Sequence, residues 1–169
     1  MDIWKHSELS AIKFGGVAED YLKIHKFIDS SKLFYFNVKH RSILHHMYGV
    51  ELCIRLFGDT IINQDQNIRL VRDIAAEHLK EDLNGRIPTV KEWFEKNSQL
   101  IDPLERIQTI EDQKLKDFIF EPYLKSGIKS SFLITYSDFG VSLVKELYGF
   151  EKALTLRFNY QKKKLIVLP

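Results

Sequence analysis

Features that exported and membrane-spanning proteins need are scarce in this sequence. The 169 residues include one cysteine, Cys53, so the chain cannot form an internal disulfide. No apolar run approaches the roughly 20 residues that cross a bilayer. The opening residues, MDIWKHSELS, lack the basic and then apolar order of a signal peptide. We therefore expect a protein of the reducing cytoplasm with no membrane partner.

An excess of charge of one sign is also missing. The formal net charge is +2, from 25 basic and 23 acidic residues, which argues against a nucleic-acid partner. The dense basic run, Lys162 to Lys164, is short enough for a solvated turn. Glycine-rich phosphate loops, C-x-x-C pairs and the G-x-S-x-G nucleophile motif do not occur. The sequence therefore contains none of the familiar nucleotide-binding or nucleophile motifs.

The first hundred residues show apolar side chains at helical spacing, interrupted by glycine and serine. Gly15 and Gly16 end the first predicted helix, because glycine accepts the left-handed backbone of a helix stop. The segment TIINQDQNIRLV has two β-rich ends around a polar centre and predicts a small hairpin. Thr89 and Glu92 form a T-x-x-E capping box. The predicted helices cover residues 2–13, 19–28, 30–57, 72–83 and 89–97.

The C-terminal part differs in composition, because all six histidines lie at or before position 78. Here we predict a helix over 111–120, a strand over 130–136 and a helix over 138–148. The segments ALTLRFNY and KLIVLP alternate apolar and polar residues and predict a terminal β-hairpin. The expected fold is α+β and mainly α-helical. It has a helical, histidine-rich domain at 1–99 and a C-terminal α/β extension at 100–169, packed on the first.

One stretch of the N-terminal part is echoed in the C-terminal part. YGVELCIRLFG (48–58) and FGVSLVKELYG (139–149) share both glycines, the valine and two leucines. Each pattern predicts a helix with an internal glycine, Gly49 or Gly140, where another element packs closely. Either an ancient duplication or convergent packing explains the match.

Three histidines fall within the run HRSILHHMYG, residues 40–49. On a continuous helix, His40 and His45 share the polar face with Arg41, whereas His46 lies beyond the apolar stripe. Imidazoles that face so differently cannot bind one ion from one helix. We therefore expect at most His40 or His45 to serve a given site.

Two other helices place a histidine and an aspartate one turn apart. His78 and Asp82 fall on the face of the fourth helix that should be buried, and His25 and Asp29 lie at the margin of the apolar face of the second. A buried carboxylate without a partner costs several kcal/mol, so Asp82 must meet a cation, a metal or hydrogen-bond donors. One interpretation is a structural polar core, and the other is a metal site or acid/base pair.

The second interpretation gives a specific hypothesis: a divalent ion (Zn, Mn or Fe) bound between helices, as in helical metal-dependent phosphohydrolases. The protein would then act on a phosphate-containing small molecule. Asp82 would be catalytic, and Arg41 would bind the substrate phosphate. We expect His6, beside Trp4, to be exposed or a packing residue, although a fold that brings the N-terminus back to the centre could recruit it as a ligand. The candidate metal ligands are His25, Asp29, His40, His45, His78 and Asp82.

Residues 1–95 resemble a family of small uncharacterised proteins from phages, prophages and mobile elements. The resemblance depends on KFGGVAEDYLKIHKFIDSSK, HRSILHHMYG, RLFGDTIIN and EHLKEDLNGRIPT. It implies a domain of unknown function, a phage or mobile-element origin and a place in the host cytoplasm, but no activity. It also leaves open an alternative function: a non-catalytic phage protein that engages a host protein or sequesters a small ligand.

Overall fold

The computed structural model describes residues 1–35, 40–94, 110–126 and 132–162. The chain divides into two compact units, Met1–Thr89 and Val90–Pro169. The described residues are mainly helical, with one two-stranded antiparallel sheet, so the expected fold class is confirmed. The domain boundary expected near residue 99 stays a prediction. In the described residues no helix is long and apolar enough to cross a membrane.

The described part of the first unit, residues 1–35 and 40–89, contains five α-helices and one hairpin. The carboxylate of Asp2 accepts a hydrogen bond from the Lys5 amide (2.9 Å), which caps the first helix. That helix ends at Gly15, whose φ of 83° favours glycine. The elements are α1 (Ile3–Phe14), α2 (Ala18–Asp29), a 3-10 turn (Ser30–Leu33), α3 (Arg41–Leu44), α4 (Met47–Phe57), β1 (Thr60–Ile62), β2 (Ile68–Leu70) and α5 (Val71–Asp82).

The predicted hairpin is confirmed, and it joins α4 to α5. β1 and β2 pair antiparallel, with Ile61 opposite Arg69. Arg69 Nε donates to the carbonyl of Phe14 (2.6 Å), which ties the hairpin to the end of α1. Helices α2, α4 and α5 pack around one apolar cluster, whose fully buried members include Tyr21, Ile24, Ile28, Val50, Cys53, Ile74 and Leu79. This core fixes α2 against α5, the two helices that hold most of the candidate ligands.

The single long helix expected over 30–57 is wrong. Helix α3 ends at Leu44, and α4 begins at Met47 after an extended residue, His46 (φ −157°, ψ 172°). His46 Nδ1 accepts a hydrogen bond from the Gly49 amide (3.2 Å), so this histidine is the N-cap of α4. The face assigned to each histidine on a continuous helix therefore does not apply.

Gly49 permits this sharp turn between α3 and α4. A Cβ atom built on Gly49 would lie 1.8 Å from the carbonyl oxygen of Leu44. Only glycine lets the backbone approach so closely. We call residues 41–58, from α3 through Gly58, the elbow.

The second unit contains a similar arrangement. Its described elements are α6 (Val90–Phe94), α7 (Gln113–Ser126), α8 (Phe132–Thr135), α9 (Asp138–Tyr148) and α10 (Phe150–Lys162). Ser137 Oγ accepts from the Gly140 amide (3.1 Å), and a Cβ on Gly140 would lie 1.9 Å from the Thr135 carbonyl oxygen. The sequence echo therefore marks a shared structure: residues 132–149 form a second elbow.

Two strand predictions in this unit are wrong. Residues 132–135 are helical, although 130–136 were expected to form a strand. ALTLRFNY belongs to helix α10, where Ala153 and Leu156 are buried at helical spacing and Phe158 is exposed. The second arm of the expected C-terminal hairpin, KLIVLP, lies outside the described residues.

Candidate metal centre

Four acidic and imidazole side chains from three parts of the first unit converge in its interior. They are Asp29 at the end of α2, His45 at the turn of the elbow, and His78 and Asp82 on α5. One nitrogen or oxygen of each lies within 4.8 Å of the corresponding atoms of the others. The side chains of Asp29, His45 and His78 are 0% exposed and that of Asp82 is 3% exposed.

The distances within the cluster are close to those of a metal site. His45 Nε2 lies 3.2 Å from Asp82 Oδ2 and 3.8 Å from Asp29 Oδ1, and His78 Nε2 lies 3.9 Å from Asp29 Oδ1. Ligand atoms about 2.0–2.1 Å from a tetrahedral zinc ion are about 3.3 Å apart. The two longer of these three separations exceed that value by about half an ångström, and all separations among the four atoms lie within 4.8 Å.

Two of the candidate ligand atoms are buried without a hydrogen bond. Among the described residues, no donor or acceptor hydrogen-bonds to Asp29 Oδ1 or His78 Nε2. The other oxygen of Asp29, Oδ2, forms an ion pair with Lys32 Nζ at 2.7 Å. Buried polar atoms are normally paired, so an unpaired acceptor facing an unpaired ring nitrogen indicates a position for a ligand.

Asp82 is surrounded by cationic and imidazole groups. Its Oδ2 lies 3.3 Å from Arg41 Nη2, and its Oδ1 lies 3.2 Å from the Met1 amino group and 3.4 Å from His6 Nε2. Burial alone would raise the pKa of Asp82. The hydrogen bonds from His45 and His6, together with the Met1 ammonium and Arg41, instead hold that pKa well below its ordinary value. Asp82 is therefore an ionised carboxylate, the form that binds a metal.

His25 connects the cluster to helix α1. Its Nδ1 lies 3.0 Å from His78 Nδ1, and its Nε2 lies 2.9 Å from Ser10 Oγ. All three side chains belong to fully buried residues. Both ring nitrogens of His25 are therefore engaged, which places this predicted ligand behind His78 and outside the group of four.

Three imidazoles near the centre are held in their neutral form. Burial lowers the pKa of His25 to about 3 and that of His40 to about 4, with the neighbouring His6 and His45 adding to the respective shifts. Burial also lowers the pKa of His78, and His6 and His45 reinforce this effect. A neutral imidazole offers the lone pair that a metal needs.

His6 is a packing residue beside the cluster, as one of the two expectations for it had it, and it is not exposed. It is fully buried, its ring stacks on His78 at 3.8 Å between centroids, and its Nδ1 hydrogen-bonds Glu81. Burial lowers the pKa of His6, but Asp82 and Glu81 outweigh that effect and raise it. One sequence feature could have indicated this position: His6 and Ser10 lie one helical turn apart, the same spacing as His25 and Asp29 on α2.

The remaining predicted residues lie at the border of the centre. His40 packs its ring edge to face against His45 at 5.3 Å between centroids, but it is not one of the four converging residues. Arg41 reaches the centre from α3 through Asp82, with its side chain 28% exposed. The structure thus brings together Asp29, His45, His78 and Asp82 of the six predicted ligands, and places His25 and His40 beside them.

Comparison with known proteins gives a family but no activity. No curated protein and no solved structure matches the chain. Residues 1–101 match the family model described as Domain of unknown function (DUF6915), and this match includes every residue of the candidate centre. Since it spans more than half of the 169 residues, the chain belongs to that family.

Proposed function

We propose that this protein binds a divalent metal ion through Asp29, His45, His78 and Asp82. The observation that supports the proposal is the convergence of four buried ligand atoms within 4.8 Å of one another. Two carboxylates and two imidazoles form a donor set suited to zinc, and also to manganese or iron. The two carboxylates also provide the negative charge that a divalent ion neutralises.

We further propose that the metal-loaded protein hydrolyses a phosphate ester or nucleotide. A bound divalent ion supplies Lewis-acid chemistry, lowering the pKa of water and neutralising charge on a phosphoryl oxygen. Two cationic side chains at the border of the centre support an anionic substrate: Arg41 is 28% exposed and Lys32 is 43% exposed. Arg41 would bind the phosphate through charge-assisted hydrogen bonds, while Asp82 holds the ion.

The direct test is elemental analysis of untagged protein, purified without chelators or a nickel column. We expect near-stoichiometric zinc, manganese or iron. Asp82→Asn and His78→Ala should lose the metal because each removes one ligand. Asp73→Asn is the matched control, since Asp73 is an exposed aspartate on the same helix. Folded variants that keep stoichiometric metal would contradict this ligand set.

Hydrolysis needs its own measurement. Metal-loaded wild type should release phosphate from a panel of nucleotides and phosphate monoesters, and Arg41→Gln should weaken that activity while metal content stays unchanged. The control is Arg72→Gln, because Arg72 is exposed and pairs with Glu51 away from the centre. If the metal-loaded protein releases phosphate from no member of the panel, the hydrolase proposal is wrong and the metal-binding proposal still stands.

A second candidate function is non-catalytic binding by a protein of phage or mobile-element origin. The observation that favours it is the outer face of the hairpin, where Ile62 and Ile68 are each 66% exposed and Leu70 is 50% exposed. Such a face suits a host protein, and the polar cluster would then serve only as a hydrogen-bonded core. This function would be favoured if the purified protein is folded and metal-free and if its melting temperature does not change when zinc is added. Binding of a host protein that Ile62→Asp abolishes would support it directly.

A further inference from the structure

We propose that His25 and Ser10 are positioning residues that fix the tautomer of His78, so that His78 Nε2 presents its lone pair to the metal. This inference rests on the proposed metal site. His25 would then support the ligand His78 and would not itself bind the ion, and Ser10 would support His25.

The geometry forms one continuous chain of three side chains. Ser10 Oγ, His25 and His78 are joined by contacts of 2.9 and 3.0 Å that use both nitrogens of His25 and the Nδ1 of His78. Among the described residues only His78 Nε2 stays without a hydrogen bond in this chain, and it faces Asp29 Oδ1. The single free position of the chain is therefore the one that points into the centre.

Proton counting allows two orders along this chain, and only one of them leaves a lone pair on the ligand atom. A neutral imidazole has one N–H and one lone pair, so the contact between the two Nδ1 atoms requires a proton on only one of them. If His78 donates from Nδ1, His25 accepts and then donates from Nε2 to Ser10. Nε2 of His78 is then a lone pair. In the reverse order, His78 Nε2 bears the proton and cannot bind an ion.

The proposed direction of these hydrogen bonds is the one found around the ligands of known metal sites. A ligating histidine usually donates its other N–H to an acceptor, which fixes both the tautomer and the ring orientation. Here the acceptor is a second imidazole, and the stacked ring of His6, 3.8 Å from His78, restricts rotation of the ligand ring. Together they place His78 before any ion arrives.

Three substitutions at His25 separate this role from a general packing role. The Oδ1 of asparagine reaches about the position of imidazole Nδ1, whereas the side-chain amide of glutamine reaches about the position of Nε2. His25→Leu should weaken zinc binding about 10- to 100-fold, the usual effect of losing such a partner. His25→Asn should recover most of that loss, because it can still accept from His78, and His25→Gln should not.

Ser10 has a matched control on the same helix. Ser7 and Ser10 are both fully buried, but Ser7 Oγ bonds the Ile3 carbonyl of its own helix (3.0 Å). Ser10→Ala should weaken zinc binding, because it leaves the His25 Nε2–H without an acceptor, and Ser7→Ala should not. Equal effects of both alanines would contradict a specific role for Ser10.

The tautomers can be measured directly by long-range proton–nitrogen NMR correlation on zinc-bound, nitrogen-15-labelled protein. We expect His78 to be protonated at Nδ1 and coordinated at Nε2, and His25 to be protonated at Nε2. Coordination of His78 through Nδ1, or zinc affinity in His25→Leu equal to wild type, would overturn this inference alone. A wild-type protein that binds no zinc would overturn the metal site as well.

Discussion

Replacing Gly49 by alanine should destabilise the part of the protein that forms the centre. The added Cβ would lie 1.8 Å from the Leu44 carbonyl oxygen, and real Cβ contacts essentially never fall below 3.0 Å. The difference, 3.0 − 1.8 = 1.2 Å, must come from the backbone, since the atom it meets is a carbonyl of α3. Overpacking that displaces softer side chains already costs about 1–3 kcal/mol. We therefore expect a loss of at least about 3 kcal/mol.

For a unit of this size, that loss corresponds to a melting temperature lower by roughly 12–24 °C. Scanning calorimetry or thermal circular dichroism of full-length protein measures it. Glu51→Ala, on the same helix, is the control. Glu51 is exposed and pairs with Arg72, so its loss should cost at most about 1 kcal/mol. A Gly49→Ala variant with the same melting temperature as Glu51→Ala would refute the close contact between Gly49 and the Leu44 carbonyl.

Two further predictions concern pH and metal. Burial lowers the pKa of His46 to about 3, so the unfolded chain binds the proton first as pH falls below about 6.5. Stability is therefore lost as pH falls from about 6.5 to about 3, by up to roughly 1.4 kcal/mol for each pH unit. His46→Asn, which can still cap α4, should flatten the slope of unfolding free energy against pH measured in urea. Zinc at 100 times its dissociation constant should stabilise wild type by about 2.7 kcal/mol, and the melting temperature of Asp82→Asn should not respond.

Helices with clear stops were predictable from the sequence. Asp138–Tyr148 matches its prediction because an acidic residue and Gly149 delimit it. The break between Leu44 and Met47 was not predictable from periodicity, because apolar residues keep their helical spacing across it. Its cause is a histidine cap combined with a glycine contact. The close contact at Gly49 was predicted from the sequence, but histidine is an uncommon N-cap, so the break itself was not.

The strand error in ALTLRFNY has a different physical reason. The segment alternates apolar and polar residues, which suits a strand, but Ala153 and Leu156 are also three apart, which suits a helix face. The packing within the second unit buries the pair at helical spacing and leaves Phe158 exposed. Short segments that satisfy both periods are decided by tertiary packing, which the sequence alone does not specify.

The candidate centre was partly visible in the sequence. The pairing of His78 with Asp82 on one buried face of α5 follows from helical geometry alone. The sequence does not show which histidines are ligands and which lie behind a ligand. His25 is excluded only because Ser10 and His78 contact both of its ring nitrogens, and those contacts depend on the tertiary structure. The contacts of His6 with Glu81 and Asp82 were not predictable, because these partners are about 75 residues away along the chain.

The centre depends on α5, the last element of the first unit, for two of its four proposed ligands. Detachment of that single helix would separate His78 and Asp82 from Asp29 and His45. It would also break the core contact of α5 with α2 and the stacking of His6 on His78. An ion bound there would be released when α5 detaches. Metal retention would then report that α5 is docked on the core of the first unit.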